Sequence, residues 1–178
     1  MEAVARIEGR WKASGDPMAS EPLTFEAFFE SEKDRLLRIL CVITGSRSEA
    51  EDLAQDAFTK LLERWEVVAT MEVPAGYLHR TAMNLFRSQH RRAATALKRA
   101  VGLGPERDVF QEVEDRSLAV HALASLTSRQ RAALVLTEAL GYSGEETGRL
   151  LGIKASTVWA LTHQARAALS EAREATDV

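Results

Sequence analysis

The chain has a single cysteine, Cys41, which excludes an internal disulfide framework and any multi-cysteine zinc site. Cys41 lies in the apolar run Ile39, Leu40, Cys41, Val42, Ile43, where a buried structural thiol is expected rather than a reactive one. No apolar run approaches the roughly 18 to 20 residues of a membrane span. The N-terminal stretch also lacks the apolar centre of a secretion signal. A soluble, cytoplasmic protein with no membrane insertion is expected. No sustained alternating strand pattern occurs, which leaves an all-α fold. Acid is missing altogether between Val73 and Pro105, while Arg80, Arg87, Arg91, Arg92, Lys98 and Arg99 all fall there. The net charge of -3 therefore conceals an asymmetry, because Glu49, Glu51, Asp52 and Asp56 crowd the stretch before it. One acidic and one basic surface point to two different partners.

What is present is helical periodicity. Residues 1–22 mix Gly, Pro, Ser and charges without periodicity and read as a tail, with no function assigned. From Phe25 the apolar residues Phe28, Phe29, Leu36, Leu40 and Ile43 recur at helical spacing up to Gly45. Ser48 with Glu51 forms a candidate capping box for a second helix, whose Ala50, Leu53, Ala54, Ala57, Phe58, Leu61, Leu62 and Trp65 define one apolar face. Asp52, Gln55, Asp56, Thr59 and Glu63 are left outward. A loop with Pro74 and Gly76 precedes a third helix from Tyr77 to about Ala100, with Leu78, Ala82, Leu85 and Phe86 toward a core and Arg80, Asn84, Arg87, Arg91 and Arg92 opposite. Met83 is expected to pack rather than to serve a cofactor.

The stretch "VGLGPERDVFQEV", 101–113, breaks the helical pattern and is the expected linker between two small helical domains, 23–100 and 114–172, with 173–178 a short tail. Beyond it, a short helix is expected over 117–125. Thr127 caps a second that runs to about Leu140, Gly141 closes it, Ser143 with Glu146 caps a third, and a fourth starts at Ser156. The last two fit a helix-turn-helix: Gly148 allows close crossing, Gly152 suits the turn, and Leu151, Ile153, Val158 and Leu161 pack. Ser156, Trp159, Ala160, His163, Gln164 and Arg166 then lie on or near the side that enters a major groove. Charge there is sparse, with Lys154 and Arg149 the nearest additions, so this domain alone should bind DNA weakly.

The middle helix combines cations with Tyr77 and amides, which suits contact with a strand backbone plus stacking on unpaired bases. His79 and His90 lack a carboxylate between them, and His121 and His163 have no ligand at metal spacing, so no metal and no cofactor are expected. No phosphate-binding loop or catalytic set occurs, and the chain is not expected to be an enzyme.

Together these features resemble the extracytoplasmic-function (ECF) group of bacterial sigma-70 RNA polymerase sigma factors. "SEAEDLAQDAFTKLLERW" resembles the family's core-binding helix, "GYLHRTAMNLFRSQHRR" its promoter-melting helix, and "LTSRQRAALVLTEALGYSGEETGRLLGIKASTVWALTHQARAAL" its C-terminal promoter-reading domain. The resemblance implies that Asp52, Gln55 and Asp56 dock on core RNA polymerase. It implies that Tyr77, Arg80, Asn84, Arg87, Arg91 and Arg92, with the loop from Val67 to Gly76, open and hold the -10 element. It gives Lys154, Ser156, Thr157, Trp159, Ala160, His163, Gln164 and Arg166 to the -35 element. Core RNA polymerase and promoter DNA are the implied partners, and an anti-sigma protein is a family expectation. The chain departs from the family pattern at Tyr77, Ser88, Trp159, Ala160, Leu161 and Gln164, which leaves Trp159 two roles: packing on a thymine methyl or on a neighbouring helix. A helix-turn-helix regulator that works without polymerase, and a sigma-like interaction protein without promoter opening, are the alternatives.

Overall fold

The computed structural model describes residues 23–97 and 123–174, all of them helix or connecting turn. The expected linker, 101–113, the N-terminal tail and residues 175–178 lie outside the described residues, and the first two residues of the expected C-terminal tail are helical. The expected helix over 117–125 lies largely outside them too, although Leu123 and Ala124 are helical.

Helix α1 spans Phe25–Thr44. It starts where the Thr24 hydroxyl accepts the Ala27 N–H, and it stops at Gly45, whose φ of 74° is inexpensive only without a Cβ. Helix α2, Arg47–Leu62, is capped by Ser46, whose hydroxyl accepts the Glu49 N–H at 3.2 Å. The cap is thus two residues earlier than the Ser48 of the sequence reading. Serines flank the same Arg, and the tight turn after Gly45 decides which one has extended backbone. The helix also ends before Trp65, so Leu62 and Trp65 leave its buried face. Leu62 is 54% exposed, and Trp65 opens a single turn, α3 (Trp65–Val68), with its ring 5.5 Å from Phe25 and 5.3 Å from Phe28.

Helix α4, Pro74–Leu97, begins three residues before Tyr77. Proline suits a first turn because its missing N–H has no partner to lose there. Leu78, Ala82, Met83 and Phe86 are buried, as their spacing requires, and Leu85 is half-buried against the same core. Cys41 is half-buried, and burial pushes its thiol pKa up, away from reactivity.

The second half starts with α5, Ser128–Leu134, where Thr127 and Gln130 form a reciprocal capping box. Its α-helix does not run to Leu140. Over Val135–Ala139 the chain widens into a π turn, with the Leu140 N–H bonded to the Val135 carbonyl. The Thr137 hydroxyl donates to the carbonyls of Ala133 and Leu134, so the side chain competes for the acceptors an α-helix would use. Helix α6, Gly144–Leu151, has the expected Ser143–Glu146 box, and α7 spans Ala155–Glu174.

The two helical domains pack against each other. Helix α5 and its π turn lie on α1, and α6 lies on α4. Ala132, Leu136, Leu140 and Leu150 join one core with Leu36, Leu40, Ile43, Leu78 and Phe86. Each buried leucine contributes roughly 1.5–3 kcal/mol, so sharing a core compensates two halves that are individually small. A buried arginine crosses the boundary. Helix α1 has no basic residue in its last turn, and Arg131 of α5 supplies the cation: its Nε donates to the Ile43 carbonyl at 3.1 Å and its Nη2 to that of Thr44 at 3.0 Å. The same guanidinium donates to Leu126 and Leu123 of its own half.

Candidate docking and nucleic-acid surfaces

On α2 the spacing of Asp52, Gln55 and Asp56 places all three on the exposed face, because Leu53, Ala54, Ala57 and Phe58 turn inward. Beside this ridge runs a groove of about 440 Å³ between α1 and α2. Phe25, Phe29, Leu37, Ala54, Phe58 and Leu62 form its apolar lining, Asp34 and Glu51 lie along it with Lys33, which is paired to Glu30 at 2.6 Å, and Gln55 belongs to both ridge and groove. The Phe29 and Phe58 rings meet edge-on at 4.8 Å and stiffen the floor. The sequence reading found the acids and missed the groove, whose walls come from two helices. The exposure of Leu62 is its one local trace. An apolar slot whose rim holds two carboxylates, an amide and a lysine already neutralised by Glu30 fits a helical partner that presents aliphatic and basic side chains.

Helix α4 brings most of the basic set to one side. The Arg80 guanidinium lies over the Tyr77 ring at 5.1 Å, Asn84, Arg91 and Arg92 are exposed, and Arg87 donates weakly to Asn84 at 3.4 Å. Arg87 also reaches the Leu150 carbonyl at the end of α6, at 3.4 Å, and its guanidinium packs against Gly152. A cleft of about 190 Å³ between α4 and α6 is lined by Phe86, Arg87, His90, Arg91, Arg129 and Ile153, among others. Burial, and then the charges of Arg129 and Arg131, hold the His90 pKa below its ordinary value. The stretch from Val67 to Gly76 is less of a loop than expected. Val67 is exposed, Val68 is buried in α3, and Pro74 and Gly76 belong to α4, so only the residues between them are irregular.

Helices α6 and α7 have the crossing that their glycines allow. A Cβ at Gly148 would stand 2.8 Å from the Ile153 carbonyl oxygen, and Gly152 has a φ of 65°. Val158 is buried, with Leu161, Leu151 and Ile153 half-buried around it. Lys154, Ser156, Thr157, Trp159, His163, Gln164 and Arg166 are exposed, and Ala160 is half-buried at the edge of that face. Two of these have partners within the domain: Arg166 forms an ion pair with Glu138, and Gln164 accepts from Gln130 at 3.4 Å. Trp159 has its ring 5.5 Å from His163, one turn further on. Among the described residues no group of three or more His, Cys, Asp or Glu could hold a metal ion, and no helix is long and apolar enough to cross a membrane.

These surfaces define a class: an all-helical protein with a basic helix, a helix-turn-helix and a separate apolar groove beside an acidic ridge. Residues 28–95 match sigma-70 region 2, and residues 116–169 match sigma-70, region 4. The chain is 32% identical over 161 residues to the RNA polymerase sigma-E factor of Streptomyces avermitilis, covering 89% of each chain. It is 32% identical over 170 residues to the ECF RNA polymerase sigma factor SigE of Mycolicibacterium smegmatis, covering 89% of this chain and 64% of that one. Among solved structures, the sigma factor RpoE of Bartonella quintana, crystallised with the anti-sigma factor NepR, aligns over 84% of this chain and 96% of its own with a TM-score of 0.60 at 22% identity, a likeness of fold. The chain belongs to the ECF group of the sigma-70 family, the factors that direct RNA polymerase to promoters.

Proposed function

We propose that the three surfaces divide the work of promoter-specific initiation as follows. The ridge Asp52, Gln55, Asp56 and the adjoining groove dock core RNA polymerase. The α4 side with Tyr77, Arg80, Asn84, Arg87, Arg91 and Arg92 holds the opened -10 strand, through stacking and phosphate contact. The exposed side of α7, with Lys154 before it, reads the -35 element in the major groove. Splitting affinity between two sites on one assembly means that the helix-turn-helix, where charge is sparse, does not have to hold DNA alone. The protein acts in the cytoplasm, where polymerase and promoter are, and the polymerase supplies the chemistry.

The observation that carries this reading is the acid and amide ridge beside an apolar groove. A regulator that binds duplex DNA alone has no use for it. An anti-sigma protein would gain most by covering the same groove, since one contact would then deny the chain its polymerase. The test is binding to purified core RNA polymerase, followed by run-off transcription on sheared genomic DNA. The double variant D52A/D56A is expected to bind core enzyme at least tenfold more weakly and to lose every transcript that needs the wild-type protein. Normal binding by that variant would remove the assignment.

A further inference from the structure

We infer that Trp159 is a specificity determinant that reads the C5-methyl group of one thymine in the -35 element. The inference rests on α7 entering the major groove there. The sequence left two roles for this residue, and the structure favours the first: Trp159 is 71% exposed, with its ring beside His163 of its own helix, so its indole is not a core residue. Its flank is set by the same helix. His163 lies one turn along with its ring inclined 31° to the indole, and Ser156, Thr157 and Ala160 surround the pair without charge. Thr162, buried three residues on, turns its hydroxyl back to the carbonyls of Val158 and Trp159 within its own helix.

The polar groups that could compete for this face are partly engaged elsewhere. Arg166 is paired with Glu138 and Gln164 with Gln130, which leaves the aromatic pair as the most prominent feature at the start of α7. The edges of the base pairs in a major groove are donors and acceptors with one apolar exception, the thymine methyl. An indole displacing water from that methyl gains what a buried methylene gains, a factor of about four in affinity. An indole seated on donors and acceptors would instead strip them of water at a cost. Shape and polarity therefore select thymine opposite Trp159.

The experiment uses holoenzyme assembled from this chain and core polymerase on a promoter obtained by run-off transcription. Each thymine of the protected -35 element is replaced in turn by deoxyuridine, which removes only the methyl. Wild-type holoenzyme is expected to lose about fourfold in binding at one position. W159A holoenzyme should show the same loss on the unmodified promoter and no further loss with deoxyuridine there, and W159F should recover part of it. Because Trp159 is exposed, the alanine variant is expected to fold and to bind core polymerase normally. If no single deoxyuridine matters, or if W159A still responds to one, the inference fails. A preference that W159A alters without any response to deoxyuridine also overturns it, in favour of reading through the indole N–H. Weakened core binding by W159A with intact -35 discrimination overturns it in favour of a protein contact. A wild-type holoenzyme that transcribes but leaves the upstream element unprotected refutes the DNA-reading role of α7, and the inference with it.

Discussion

His79 is only 2% exposed, and its Nδ1 lies 3.3 Å from the Tyr142 hydroxyl of the other half. Burial, reinforced by the charge of Arg35, pushes its pKa down to about 4, while burial and then Glu146 push that of Tyr142 up to about 12. Both groups therefore stay neutral across the physiological range. In the unfolded chain His79 returns to about 6.5, so between pH 6.5 and 4 the unfolded state binds the extra proton and folding stability falls with pH. The full effect is roughly 3 kcal/mol at about 1.4 kcal/mol per pKa unit. Thermal melts are expected to show the wild-type midpoint falling between pH 7 and pH 5, and H79Q to flatten that slope, leaving the smaller contribution of His90, which has the same sign. Parallel slopes for the two proteins would show that His79 is not the titrating group.

At the scale of elements, the helix-turn-helix depends on two glycines for different reasons. At Gly148 an added Cβ meets the backbone of the next element, the Ile153 oxygen at 2.8 Å and the Ala155 nitrogen at 3.3 Å, so α7 must move. At Gly152 the cost is the left-handed backbone, about 1 kcal/mol, since the nearby Arg87 guanidinium can swing away. G148A is therefore expected to cost more than G152A, about 2–3 kcal/mol by denaturant titration. G148A should also weaken protection of the -35 element in a footprint, because it tilts the reading helix. Equal costs would mean that the crossing at Gly148 is looser than the structure shows.

The whole molecule holds its halves together, whereas the proposed division of promoter contacts between them needs them apart. A compact chain of this length has a radius of gyration of about 16 Å, and the -10 and -35 elements are separated by about 25 base pairs, roughly 85 Å at 3.4 Å per step. The closed form cannot span both, and the shared core around Leu136 and Leu140 must part, along with the Arg131 bonds to Ile43 and Thr44. The segment 98–122 is long enough to reach about 80 Å when extended. Spin labels at S31C and S170C, both exposed serines, in a C41S background are expected to give one short, narrow distance in the free protein. The distance should lengthen in the complex with core polymerase and promoter DNA, and R131A should broaden it in the free protein. A free wild-type protein that already shows a long, broad distribution would refute the closed arrangement.

The helices and most of their caps were legible in the chain alone, because helix period, Thr127, Ser143 and the glycines act within a few residues of one another. The order of the three surfaces was legible too, as was which charges face outward, since an amphipathic helix fixes its own outer side. Local pattern erred where two neighbours compete for one role, as with Ser46 and Ser48, or where a helix widens, as over Val135–Ala139. The groove beside Asp52, the exposure of Leu62 and the meeting of Arg131 with the end of α1 came from tertiary packing. These depend on residues far apart in the chain: a groove needs two walls, and an orphan carbonyl takes its donor from whatever element packs against it.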